Sequence, residues 1–217
     1  MTQSAVLLDL DGVLVDSRAA ITSCLNGALG EHGLPGRSPA SLQRFIGPPL
    51  ARAFAEITGE DPGSALVASC VAAYRRRYAQ ESLTLTQVVP GIPETLVDLG
   101  ETYRLAVATS KPLAFAEPLL QRLALRSAFS AVAGPDLSVA GEEKAVTIGR
   151  ALGELGRPAR AVMVGDRSFD VVGAHAHSLP TIGVGWGIGS REELTTAGAA
   201  VVIDTPDELP TAVWRLL

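Results

Sequence analysis

Six short apolar runs recur along the chain: AVLLDL (5–10), RLAVATS (104–110), SAVAG (130–134), RAVMVGD (160–166), TIGVGW (181–186) and AAVVID (199–204). Each is nearly continuous in Val, Ile, Leu and Ala. Strands with one wet face would alternate apolar and polar positions, whereas continuous runs belong to strands buried on both faces. Amphipathic helical stretches separate the later runs. Strand and helix repeated in this order predict a parallel sheet covered on both sides, an α/β doubly wound core of Rossmann-like type.

Between the first and second runs the rhythm breaks. RAAITSCLNGALGEHG, ASLQRFIG, PLARAFAEITG and PGSALVASCVAAYRRRYAQ carry helical patterns with no strand between them, and Pro35, Gly36, Pro39, Pro48 and Pro49 punctuate the stretch. The expected organisation is a core of residues 1–16 and 84–217 with an all-helical domain inserted at 17–83. A chain of 217 residues is long enough to bury a sizeable core in that arrangement.

Composition then narrows the partner. Hydrophobic residues make up 47% and charged residues 19%, which is globular and excludes disorder. The formal net charge is -5, and the longest basic run is Arg75, Arg76 and Arg77, so there is no concentrated basic face for a nucleic-acid backbone. No apolar run approaches the roughly 18 residues of a membrane span, and no basic-then-apolar export signal opens the chain. A cytoplasmic protein with a small-molecule partner is expected, without nucleic acid or membrane. Monomer and homodimer are both open. Cys24 and Cys70 are too few for a disulfide framework and are expected to act as small core hydrophobes.

In an open parallel sheet, ligands bind outside the carboxyl ends of the strands. The residues that follow the apolar runs are Asp9 and Asp11, then Thr109 and Ser110, then Gly165 and Asp166 with Asp170 four residues on; Lys144 opens a helix between the last two groups. Each element alone is ordinary, since Asp-Gly makes turns and Thr or Ser caps helices. Together they are two carboxylate pairs, a hydroxyl pair and an ammonium, placed in sequence at successive strand ends. Hard carboxylate oxygens without His or Cys suit Mg²⁺, and hydroxyls, backbone N–H groups and a lysine suit a phosphoryl group. Of 18 basic residues only Lys111 and Lys144 are lysine, which hints that one of them must be a compact point charge.

DLDGVLVDS (9–17), AVATS (106–110), Lys144 and VGDRSFD (164–170) resemble the motifs of the haloacid dehalogenase-like superfamily, in its phosphatase branch with a helical cap after the first strand. FIGPPL (45–50) and GWGIGSREEL (185–194) are similar to the phosphoglycolate phosphatase and 5'-nucleotidase-like group. The resemblance implies a Mg²⁺-dependent phosphatase acting on a small phosphorylated metabolite. Asp9 would be the nucleophile that forms an aspartyl-phosphate, and Asp11 the acid and base. Asp9, the Asp11 carbonyl and Asp166 would hold the metal, with Asp170 a direct or outer partner. Thr109, Ser110, Lys144 and the loop at Gly12 would receive the phosphoryl group. Lys111 is expected only to continue the turn after Ser110.

A phosphosugar mutase would use the same aspartates, but its cap arginine falls near Pro49, with Arg44, Arg52 and Arg75 as substitutes. A phospho-receiver module shares strand-end acids and a lysine but lacks a helical insert. His175 and His177, at i and i+2 of a helix, face different sides and are not expected to chelate a metal. GVGWGIG has Ile188 where the last glycine of a dinucleotide fingerprint is due.

Overall fold

The computed structural model describes residues 4–139 and 141–217. Its strands are β1 (Ala5–Leu8), β2 (Val15–Asp16), β3 (Gln87–Val88), β4 (Arg104–Ala108), β5 (Ala131–Ala133), β6 (Ala161–Gly165), β7 (Thr181–Val184) and β8 (Val201–Ile203). Six of them form one parallel sheet in the order β5-β4-β1-β6-β7-β8, and these are the six apolar runs of the sequence. The remaining two, β2 and β3, pair as a separate ribbon. Two-residue strands have no period to read, so the sequence did not reveal them.

The helices are α1 (Arg18–Glu31), α2 (Pro39–Leu42), α3 (Leu50–Thr58), α4 (Ala65–Leu85), α5 (Ile92–Thr102), α6 (Leu113–Arg122), α7 (Lys144–Glu154), α8 (Ser168–His175), α9 (Arg191–Ala197) and α10 (Leu209–Leu216). Two compact units result: the described residues of Met1–Asp16 with Val88–Leu217, and Ser17–Gln87. In the helical unit α4 runs on through Leu85, two residues past the insert end expected from the sequence. There α1 and α3 pack on α4, Phe54 meets Tyr74 edge-on at 6.4 Å, and Tyr74 stacks on Tyr78 at 5.3 Å. Cys24 and Cys70 are buried in this unit and are not joined in a disulfide, with Cys24 Sγ 3.7 Å from Glu81 Oε2.

The sheet faces differ. Period-2 alternation puts Ala5, Leu7, Ala106, Ala108, Ala131, Ala133, Ala161 and Met163 on one face, in a cluster with Ile148, Ala151 and Leu155 of α7 and Ala174 of α8. Six alanines on that face let α7 lie close to the sheet. Val6, Leu8, Leu105, Val107, Val162 and Val164 point to the other face; on that side of the core α5 and α10 pack together, with α5 on β4 and α10 on β8.

β1 is the hinge of the topology. The chain builds outward through β4 and β5 on one side of it, then returns to β6 on the other. The crevice beyond the carboxyl end of β1 is therefore flanked by the ends of β4 and β6, where ligands bind in such sheets.

If the α7 layer carries the core, Ile148→Ala should cost about 2–5 kcal/mol of unfolding free energy in urea, as for other large-to-small core changes. Val172→Ala, at a residue 61% exposed on α8, should cost under about 0.5 kcal/mol. Equal losses would refute this layer assignment.

Candidate active site

Asp9 directly follows β1, and its N–H donates to Val164 O at 3.0 Å, so pairing with β6 extends to the carboxylate itself. The chain then turns sharply. Leu14 and Val15 both donate to Leu10 O, and Gly12 donates to Val15 O at 2.8 Å. Gly12 has φ 85°, and a Cβ there would collide with Asp166 Oδ2, so conformation and space both demand glycine. Asp11 is held opposite Val15 by an isolated bridge.

Lys144 is the first residue of α7, four positions before Ile148 and so at the end of the same buried stripe. Its Nζ lies 2.9 Å from Asp9 Oδ1 and 2.7 Å from Asp170 Oδ1. Both are ion-pair contacts without the alignment of full hydrogen bonds. Gly173 makes room for the lysine stem, since a Cβ there would stand 2.9 Å from Lys144 Cβ.

Asp170 is the third residue of α8, and its Oδ2 accepts the N–H groups of Asp166 and Arg167, both at 3.1 Å. With Lys144 on Oδ1, one carboxylate thus ties the end of β6 to the starts of α7 and α8. Asp166 follows β6. Its Oδ2 accepts Ile188 N–H at 2.7 Å, while its buried Oδ1 has no hydrogen-bond partner.

The loop after β7 explains the glycines that failed the dinucleotide pattern. A side chain at Gly187 would collide with the Asp166 carboxylate, and one at Gly189 with its carbonyl. Trp186 Nε1 donates to Val13 O at 3.1 Å, and Glu193 Oε1 accepts Ser168 N–H at 2.8 Å and Arg167 Nε at 3.0 Å. Sequence reasoning gave none of these residues a role in the site; the quoted GWGIGSREEL stretch was their signal.

At the end of β4, Thr109 is buried and Ser110 half-buried. Thr109 Oγ1 accepts the N–H of Lys111 at 3.1 Å. The expectation for Lys111 needs correction: its side chain is buried, and its Nζ lies 2.9 Å from Asp11 Oδ2. Both lysines of the chain therefore sit in the strand-end site. The reason is tertiary: the Lys111 backbone packs against Gly134, and its ammonium meets Asp11.

Electrostatics follow from this burial. Desolvation raises the Asp9 carboxyl to about 6; Lys144 opposes that and Asp170 adds to it. Burial, then the charges of Asp170 and Asp9, push Asp166 well above the usual carboxylate range. Burial works against the Lys144 charge too, but the Asp170 and Asp9 carboxylates outweigh it and hold the ammonium above its ordinary value.

Among the described residues, Asp9, Asp166 and Asp170 form a group that could hold a cation, each offering an oxygen with all three within 4.8 Å of one another. The fit is chemical as well as spatial. The donors are hard oxygens, they are buried, and Asp166 Oδ1 lacks a partner. His175 and His177 are not in the group. α8 ends at His175, so His177 lies beyond the helix, with Nε2 2.7 Å from Ala145 O, and the i, i+2 argument does not describe it.

Residues 6–184 match the family model of the haloacid dehalogenase-like hydrolases. The chain belongs to that family. Over 191 residues this hydrolase is 39% identical to a 5'-nucleotidase of Pseudomonas aeruginosa, covering 87% of this chain and 86% of that one. It is 35% identical over 213 residues to the tyrosine-protein kinase PtkA of Mycobacterium tuberculosis, covering 96% and 72%. A crystal structure described as a "predicted phosphatase" from Clostridium acetobutylicum superposes with a TM-score of 0.90 at 34% identity, covering 100% of both chains. Among the described residues, no helix of the hydrolase is long and apolar enough to cross a membrane.

The raised Asp9 carboxyl gives a signed prediction for the metal-free hydrolase. A folded-state value of about 6 against 3.8 means that the native state holds this proton longer, so its stabilising effect is lost as pH rises from about 4 to 6. In EDTA, the Tm of Asp9→Asn should therefore gain on wild type across that window and level off above it. Saturating Mg²⁺ should raise the wild-type Tm at pH 7 and leave Asp166→Asn unmoved. A flat Tm difference across pH, or equal metal shifts in wild type and Asp166→Asn, would overturn this electrostatic account.

Proposed function

We propose that this hydrolase is a Mg²⁺-dependent phosphatase that acts on a small phosphomonoester metabolite through an aspartyl-phosphate on Asp9. One observation carries the reading. A strand-end carboxylate, Asp9, is held at 2.9 Å by a buried ammonium, beside the Asp166 and Asp170 carboxylates, with Asp11 two residues on. The 5'-nucleotidase relative supports a nucleoside monophosphate as one candidate ester; phosphoglycolate and small sugar phosphates belong to the same chemical class.

In the first half-reaction an Asp9 oxygen bonds to phosphorus, the ester P–O bond breaks, and Asp11 gives its proton to the leaving oxygen. In the second, a water oxygen bonds to phosphorus, the Asp9–phosphorus bond breaks, and the water proton goes to Asp11. Thr109, the backbone N–H groups of Ser110 and the Gly12 loop, and Lys144 receive the phosphoryl oxygens. Thr109 Oγ1 already accepts from Lys111, which leaves its hydroxyl hydrogen to donate. Asp9, Asp166 and the Asp11 carbonyl would hold Mg²⁺, with Asp170 positioning Lys144 beside them. Bound there, the ion supplies Lewis-acid neutralisation of phosphoryl charge.

Phosphate release should be measured over nucleoside monophosphates, phosphoglycolate and sugar phosphates, with Mg²⁺ and with EDTA. We expect release only with Mg²⁺, nearly complete loss in Asp9→Asn, and a loss of about 10²–10⁴ in kcat for Asp11→Asn. Full activity in EDTA or in Asp9→Asn would remove the mechanism, and phosphorylation of tyrosine with no release from any small ester would replace the phosphatase by a kinase.

Lys144→Arg should lower kcat/KM by at least about tenfold, because a planar fork replaces a point charge between two carboxylates. Near-normal kcat/KM in that variant would show that charge alone suffices there.

A further inference from the structure

We propose that Lys111 is a positioning residue for Asp11, so that the site works through two lysine–aspartate pairs: Lys144 on the nucleophile and Lys111 on the proton-handling carboxyl. The proposal rests on the phosphatase reading of Asp9 and Asp11 and adds a residue to it.

Asp11 needs such a partner. Its backbone is fixed by the bridge to Val15 and the Gly12 turn, but its side chain is 19% exposed, and a fixed backbone alone does not choose one staggered χ1 rotamer. Its Oδ1 is buried without a hydrogen-bond partner, so no polar contact on that oxygen fixes the carboxyl. The selection comes from Oδ2, 2.9 Å from Lys111 Nζ.

Lys111 is itself well anchored. Its N–H donates to Thr109 Oγ1, and a Cβ on Gly134 at the end of β5 would stand 2.7 Å from the Lys111 carbonyl, so the two backbones touch. Pro112 follows and opens α6. The side chain is only 5% exposed, which removes most of the water that would otherwise compete for the ammonium. Every element that fixes Lys111 therefore fixes the direction of the Asp11 carboxyl. The ammonium keeps its own protons throughout. In both half-reactions the transferred proton moves between Asp11 and the leaving oxygen or water.

A residue that acts through Asp11 should matter only while Asp11 can do its work. With p-nitrophenyl phosphate and Mg²⁺, Lys111→Met should lose about 10- to 100-fold in kcat with KM changed less than about threefold. Lys111→Arg, which retains the charge, should recover part of that loss. On an Asp11→Asn background, Lys111→Met should cost less than about twofold more. A full multiplicative loss on that background, or a rise in KM at constant kcat in Lys111→Met, would overturn the proposal and make Lys111 an independent substrate contact. Wild-type kcat in Lys111→Met would also overturn it. Circular dichroism and Tm of each variant identify unfolding; if Lys111→Met does not fold, Lys111→Arg and its double variant with Asp11→Asn carry the same test. Full activity in Asp11→Asn alone would instead mark failure of the underlying reading of Asp11.

Discussion

Three carboxyl groups buried within 4.8 Å of one another cannot all be ionised unless something of opposite charge lies among them. In the metal-free protein that group is Lys144, with one ammonium against Asp9 on one side and Asp170 on the other. Desolvation raises the cost of every charge in the cluster, so the excess negative charge appears as raised Asp9 and Asp166 carboxyls. A site with this imbalance has a built-in preference for a further cation and for the proton. Both are what an anionic phosphoryl group must meet before a carboxylate can attack it, as the proposed mechanism requires.

The fold delivers Lys144 to that place through packing. The lysine continues the buried stripe Ile148, Ala151 and Leu155 by one turn, so its position depends on how closely α7 lies on the sheet. Ala5, Ala106, Ala108, Ala131, Ala133 and Ala161 set that distance. α8 does the same for Asp170, which stands four residues before buried Ala174 on its own stripe. Gly173 lets the two helices approach where the lysine stem passes. An apolar face and an ionic site are in this sense one construction.

Much of this was legible in the sequence because it is local. Six continuous apolar runs mark strands buried on both faces, and a residue directly after such a run has to appear at a strand end, which places Asp9, Thr109 and Asp166 without any tertiary information. What escaped has the opposite character. Lys111 looked like one more turn residue, because its burial depends on Gly134 and Asp11, residues 23 and 100 positions away. The glycines at 187 and 189 failed a nucleotide pattern and so looked idle, yet they are empty because Asp166 fills their space. The two-residue strands β2 and β3 leave no periodic trace at all.

The division of labour between arginine and lysine completes the physical picture. On the surface the chain uses arginine to pair with acids, as in Arg44–Glu56, Arg126–Glu117 and Arg191–Asp204. A guanidinium tends to grip both oxygens of a carboxylate, which is harmless where the carboxylate has no other task. At the strand ends it would be harmful. In the proposed mechanism Asp9 uses one oxygen for phosphorus and Asp11 one for a proton, so each is best held by a group that engages a single oxygen. An ammonium does this: Lys144 contacts Asp9 through Oδ1, and Lys111 contacts Asp11 through Oδ2. The scarcity of lysine elsewhere, 2 of 18 basic residues, is consistent with retention where only a one-point contact leaves the reacting oxygen free.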